Sequence, residues 1–163
     1  DSIDNHYLEN VLYATTHDFL TGSYHYFRSH QNGKEQALWY LKNTHFECSS
    51  FIPIVDIEYK RKNISADLMR KELLECLQTL ENHLDVPPMI YSNLAFYREY
   101  LEGYPEFVKY RLWIAAYSEI RKNEVMSFAD MYQFSDNYFI QGIELPVDAN
   151  LISIEKILPL LFR

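Results

Sequence analysis

Two carboxylates follow an apolar run in the stretch FIPIVDIEYKR: Phe51 to Val55 read as a buried strand, and Asp56 and Glu58 come next at i and i+2. A strand points such a pair to one face. Two like charges side by side on an otherwise apolar strand are costly, so the pair needs a use. Mutual repulsion and partial burial raise one pKa, leaving a protonated acid beside an ionised partner, and glycoside hydrolysis requires that combination. The pair could instead ligate a divalent cation, with His25 or Asp148 completing the shell. No HxxxH, HxH or second carboxylate cluster supports that version. A plainer role is a solvated strand end pairing with Lys60, Arg61 or Lys62, but IPIV running straight into the acids argues for a central strand.

Alternating helices and strands must position the pair. Tyr7, Leu8, Val11 and Leu12 recur at helical spacing, and Asp18 to Phe27 read as an aromatic strand. A helix over Lys34 to Lys42 precedes the Asp56 strand. Ser65 then caps a longer helix in which Leu73, Leu77, Leu80 and Leu84 form the buried stripe, and Pro87 and Pro88 end it. Pro88 to Asn93, Arg111 to Tyr117 and Met131 to Ser135 read as further strands, with a helix over LAFYREYL after the first. Repeated strand, helix, strand units predict an α/β fold with a mainly parallel sheet, open or closed into a barrel. Active sites of such folds form at the carboxyl ends of the strands, where Asp56, Glu58, His25, Tyr91, Asn93 and Tyr117 lie. GIELPV suits a final parallel strand whose carboxyl end carries Asp148. Asp148 is then expected in the same cleft, within about 10 Å of Asp56 and Glu58; the alternative is a solvent-facing cap for the segment from Ala149.

Composition bounds the partners. With 163 residues, 48% of them hydrophobic, the chain suits a single domain over 1–163 with a substantial core. A formal charge of −8 argues against nucleic acid and against an anionic membrane surface. The 14 tyrosines suit a sugar-binding cleft, or else serve as half-buried packing. Cys48 and Cys76 have neither metal nor disulfide spacing, and both are expected to be buried thiols. No apolar run approaches the ~18 residues of a membrane span, and no signal peptide is legible.

Six motifs in order, GSYHYF (Gly22 to Phe27), PIVDIEY (Pro53 to Tyr59), PMIYSN (Pro88 to Asn93), LWIAAY (Leu112 to Tyr117), YQFS (Tyr132 to Ser135) and GIELPVDANLI (Gly142 to Ile152), resemble family 25 of the glycoside hydrolases, the muramidase-type lysozymes. The resemblance implies a TIM-like, flattened, irregular β/α barrel. It also implies cleavage of the β-1,4 bond between N-acetylmuramic acid and N-acetylglucosamine in peptidoglycan. Glu58 corresponds to the family's general acid, Asp56 to its companion carboxylate and Asp148 to the acid of the closing VD motif. Tyr24, His25, Tyr91, Trp113, Tyr117 and Gln133 fall on strand-end motifs and are candidates for lining the sugar groove.

In that scheme Glu58 is protonated and donates to the glycosidic oxygen, while ionised Asp56 stabilises the oxocarbenium-like charge or orients the N-acetamido group. No metal or organic cofactor is needed. The expected partner is the glycan strand, the expected setting secreted or cell-envelope, and the expected state a monomer. The family pattern opens with a strand carrying another active-site Asp, a helix and a strand near a Thr-Glu-Gly. This chain reads as beginning after them, with Asp1 resembling the Asp that follows, so the N-terminal part of the barrel is expected to be absent. Tyr132 stands where the family more often has Trp. The competing readings are a non-catalytic module that grips cell-wall glycan and a metal-dependent hydrolase.

Overall fold

The computed structural model describes residues 2–161, so Asp1 lies outside the described residues. The order is α1 (Tyr7–Thr16), β1 (Tyr24–Tyr26), α2 (Gly33–Asn43), β2 (Ile54–Asp56), α3 (Ala66–Leu84), β3 (Met89–Asn93), α4 (Leu94–Tyr100), β4 (Arg111–Ala115), α5 (Lys122–Phe128), β5 (Met131–Tyr138), β6 (Val147–Ile152) and α6 (Ile154–Ile157). The strands form one sheet in chain order. β1 to β5 pair in parallel, and β6 closes the row antiparallel to β5.

Local sequence explains the elements that carry this sheet. The hydroxyl of Ser65 accepts from the Leu68 N–H at 3.1 Å and caps α3. Met69, Leu73, Cys76, Leu77 and Leu80 of that helix are wholly buried, a stripe at helical spacing that packs on the sheet. The helix stops at Leu84 because Asp85 turns left-handed, with φ 54°, ahead of the prolines. α2 lies close against α3, and the Gly33 N–H donates to the Glu72 carboxylate at 2.8 Å. The aromatic strand expected from Asp18 begins only at Tyr24, because its partner β2 is itself three residues long and offers a ladder only from Ile54 to Asp56. Cys76 is buried and Cys48 half-buried, both as free thiols.

Strand alternation sorts the side chains into two faces. His25, Val55, Ile57, Ile90, Ile114 and Tyr132 face the helices in two of the core clusters or beside them. Ile54, Met89, Trp113, Met131 and Ile152 gather on the opposite face with Ile52 and Leu160. Ile54 on β2 and Ile152 on β6 would stand about 19 Å apart across a flat sheet at ~4.8 Å per strand spacing. The segment after β6 nevertheless returns to the residues just before β2, where the Ile52 N–H donates to the Leu160 carbonyl at 2.9 Å and Phe51 bridges Leu161, so the sheet curls, as in part of a flattened β/α barrel.

The last strand differs from expectation. Most of GIELPV is exposed connection, and Asp148 is the second residue of β6 instead of the last residue of a parallel strand. The cause is length: residues 139–146 are too few for the helical crossover that a parallel return requires, so the chain doubles back. Reversal of the strand places its amino end, with Asp148, on the rim that holds the carboxyl ends of the others.

Candidate active site

β2 carries the acid pair through a backbone fixed on both sides. The Phe27 N–H donates to the Asp56 carbonyl at 2.7 Å, and the Ile57 N–H donates to the Tyr91 carbonyl at 2.9 Å. The Ser92 hydroxyl donates to the Ile57 carbonyl at 2.6 Å. Ile57 is fully buried among the helices, so Asp56 before it and Glu58 after it turn to the inner, concave face. Glu58 lies two residues beyond the end of β2 and is half-buried. Asp56 is deeper, 8% exposed, and its Oδ1 is buried without a hydrogen-bond partner.

That difference in depth decides where a proton resides. Burial first, and the Glu58 charge second, push the Asp56 carboxyl up to about 7. Asp56 is therefore a raised acid, through its depth in the fold. Desolvation depends on the tertiary shell, and strand spacing carries no information about it.

Aromatic and amide groups extend the site along the rim. Tyr91 is the register partner of Asp56 on β3. Its hydroxyl donates to Gln133 Oε1 at 2.6 Å, and its ring stands edge-on to Trp113 with centroids 5.0 Å apart. The Tyr117 hydroxyl donates to the same Gln133 oxygen at 3.2 Å. Trp113 Nε1–H donates to Asn150 Oδ1 at 2.9 Å and ties β4 to β6. The Tyr24 phenol is raised by desolvation and then by Asp56, Asp4, Asp148 and Glu58. That of Tyr117 is raised by desolvation, then by Asp136, with Asp148 and Glu58 adding. Tyr24, on one edge strand, and Tyr117, beyond β4, thus both feel Asp148 and Glu58, so the curl brings the three strand regions into one field.

His25 is not brought to this face. Its ring is buried against α2, 3.2 Å from Gln36 Oε1 and stacked on Tyr40, and burial lowers its pKa. Neighbours in a strand face opposite ways, so Tyr24 and His25 could not both enter the groove. Tyr26 could, and does: it pairs in register with Asp56, and its phenol is raised by desolvation first and then by Asp56 and Glu58. The period-two alternation from Tyr24 was the signal for it. Asn150, facing Gln133 across β5 and β6, had no such signal because its strand runs in the unexpected direction. Among the described residues no group of three His, Cys, Asp or Glu side chains is arranged to hold a metal ion.

A concave, mainly parallel sheet with paired acids and tyrosines at the carboxyl ends of its strands is the arrangement of a β/α barrel with its candidate site on that rim. Residues 1–143 match glycosyl hydrolases family 25, and the chain belongs to that family. It is 32% identical over 152 residues to the uncharacterized protein YegX of Escherichia coli (strain K12), covering 93% of this chain and 54% of that protein. The chain thus spans about half the length of the curated relatives it matches. Among solved structures it resembles a family 25 glycosyl hydrolase from Bacillus anthracis, with TM-score 0.77 and 20% identity over 96% of this chain and 76% of that one. It also resembles a bacterial lysozyme from Streptomyces coelicolor, with TM-score 0.79 and 17% identity over 93% and 76%. These likenesses establish a shared fold, a distorted TIM-like barrel.

Proposed function

We propose that this chain is a lysozyme-like glycosidase that hydrolyses the β-1,4 bond between N-acetylmuramic acid and N-acetylglucosamine of peptidoglycan, at the cell wall. The observation that carries the reading is the buried, unpartnered Asp56 Oδ1 beside Glu58 on the tyrosine-lined face of a family 25 chain. At rest the deeper acid holds a proton up to about neutral pH. A substrate acetamido N–H reaching Oδ1 would supply the missing hydrogen bond and favour the ionised form of Asp56. The acid that delivers a proton to the substrate is Glu58, the half-exposed member that a glycosidic oxygen can approach. Glu58 donates it as the bond breaks, while Asp56 orients the acetamido group or stabilises the oxocarbenium-like charge. Asp148 adds negative potential from the facing strand, and Tyr24, Tyr26, Tyr91, Trp113 and Tyr117 offer ring faces and hydroxyls to the sugars.

Clearing of purified peptidoglycan tests the proposal. Lysis by the unaltered chain should survive chelator, and Glu58→Gln should lower it ~10²- to 10⁴-fold while the fold and glycan binding persist. Lysis retained by Glu58→Gln refutes the assignment of the acid. Tight binding without lysis by the unaltered chain identifies a glycan-binding module instead, and lysis abolished by chelator a metal enzyme.

A further inference from the structure

A hydroxyl buried among apolar side chains costs stability unless it is paired. Ser92 on β3 is fully buried, with Ile90 two residues before it and Ile114 beside it in the register of β4, and both of these are fully buried as well. A valine would suit a strand in that layer better. What the serine supplies is a donor: its hydroxyl reaches the Ile57 carbonyl at 2.6 Å, and Ile57 is the residue between Asp56 and Glu58.

Two successive peptide planes carry the acid pair, and each is rigid. In the plane that joins Asp56 to Ile57, the carbonyl accepts from the Phe27 N–H at 2.7 Å and the N–H donates to the Tyr91 carbonyl at 2.9 Å. β1 and β3 thus hold the first acid from both sides. The register of β2 with both neighbours ends at Asp56, so the next plane, which joins Ile57 to Glu58, lies beyond the ladder. The Ser92 bond fastens that plane by its oxygen. Rotation about the Ile57 Cα–C bond would swing the carbonyl oxygen and the start of Glu58 together, because both belong to one plane. Holding the oxygen therefore sets the direction in which Glu58 leaves the strand.

We propose that Ser92 is a positioning residue of this site: its hydroxyl, acting through the Ile57 carbonyl, sets the aim of Glu58 relative to Asp56. Tyr91 turns to the concave face, so Ser92 turns to the helices with Ile57 and touches no substrate. Its contribution is geometric. A proton donor must be held within about 0.5 Å of its productive place, and a misplacement of about 1 Å can cost ~10²-fold in rate. The role deepens the function proposed above and rests on it, because the aim of Glu58 matters only if Glu58 delivers the proton.

Cleavage of soluble glycan strands by Ser92→Ala and Ser92→Cys tests the inference, with rates normalised to the folded fraction read by circular dichroism. The first variant removes the hydroxyl, and the second nearly keeps the volume while offering only a weak S–H donor. Each should lower kcat about tenfold, equivalent to one net hydrogen bond, and leave KM within about twofold because the groove surface is unaltered. Parent-level kcat in Ser92→Cys overturns the role whether or not Ser92→Ala folds, and so does a loss carried by KM alone. A second measurement needs no activity: in either variant the Ile57 amide should exchange its hydrogen about tenfold faster relative to the buried Leu77 amide of α3. An unchanged ratio overturns the role as well. Cleavage by the unaltered chain with undiminished kcat in the Ser92 variants removes the positioning role alone. No cleavage by the unaltered chain removes the glycosidase proposal, and the exchange ratio then decides whether Ser92 holds the plane from which Glu58 departs.

Discussion

Tyr91 stands beside Asp56 in the register of β3 and β2, yet its hydroxyl donates to Gln133 and Asp56 Oδ1 is left without a partner. Burial then governs the acid and pushes its carboxyl up to about 7. In the unfolded chain the same group titrates near ~3.9. Between those values the folded state keeps a proton that the unfolded state has lost. Stability therefore falls as pH rises through that window. Asp56→Asn removes the penalty, with an expected gain of up to ~4 kcal/mol at pH 8 and little change near pH 4. Urea denaturation of both proteins at the two pH values checks this, and equal stability at pH 8 contradicts it.

Gln133 is a positioning residue whose single oxygen collects the hydroxyls of Tyr91 and Tyr117. It is buried, at 3% exposure, and Asn150 faces it from β6. Gln133→Leu keeps the volume and removes the acceptor, so both phenols lose their orientation. We expect kcat/KM on glycan to fall about tenfold, equivalent to one net hydrogen bond. If the effect runs through Tyr91, Gln133→Leu combined with Tyr91→Phe should cost little more than the worse single variant. Fully additive losses would show that Gln133 acts elsewhere.

Gly33 opens α2 where the helix meets α3. A Cβ there would run into the Glu72 carbonyl oxygen, which is backbone and cannot swing aside. Gly33→Ala must separate the two helices and break the Gly33 N–H bond to the Glu72 side chain. A loss of about 3 kcal/mol follows from overpacking together with the lost bond. Thermal melting of the variant measures it, and a melting temperature within a degree of the parent would show that the helices can part freely.

What the sequence alone discloses depends on how local each cause is. Asp56 and Glu58 share a face because strand alternation needs no tertiary information, and the cap at Ser65 and the stripe from Leu73 to Leu80 are equally local. The same alternation excludes His25 from the groove and admits Tyr26, which motif matching obscured. Other features depend on distant neighbours. The depth that raises Asp56 above its surroundings comes from the tertiary shell around β2. The direction of β6 depends on the length of the preceding loop, and GIELPV looks strand-like although Leu145 is 74% exposed.

Asp148 shows how a reversed strand can still serve the same rim. It lies at the amino end of β6, and β6 runs against β5, so that end meets the carboxyl ends of the parallel strands. Its side chain is exposed, as a mere cap would also be. The difference lies in its field: with Glu58 it raises the phenols of both Tyr24 and Tyr117, which come from opposite sides of the groove. Asp148→Asn should therefore lower the titration midpoints of both tyrosines, followed by ring resonances or phenolate absorbance between about pH 9 and 12, around the ordinary Tyr value. Stability should change by no more than ~0.5 kcal/mol, as for an exposed side chain. Cleavage should drop about tenfold, because one negative charge is lost from the side of the groove facing the developing cation. Unmoved tyrosine midpoints would place Asp148 outside the field of the site, and the catalytic assignment would then rest on Asp56 and Glu58 alone.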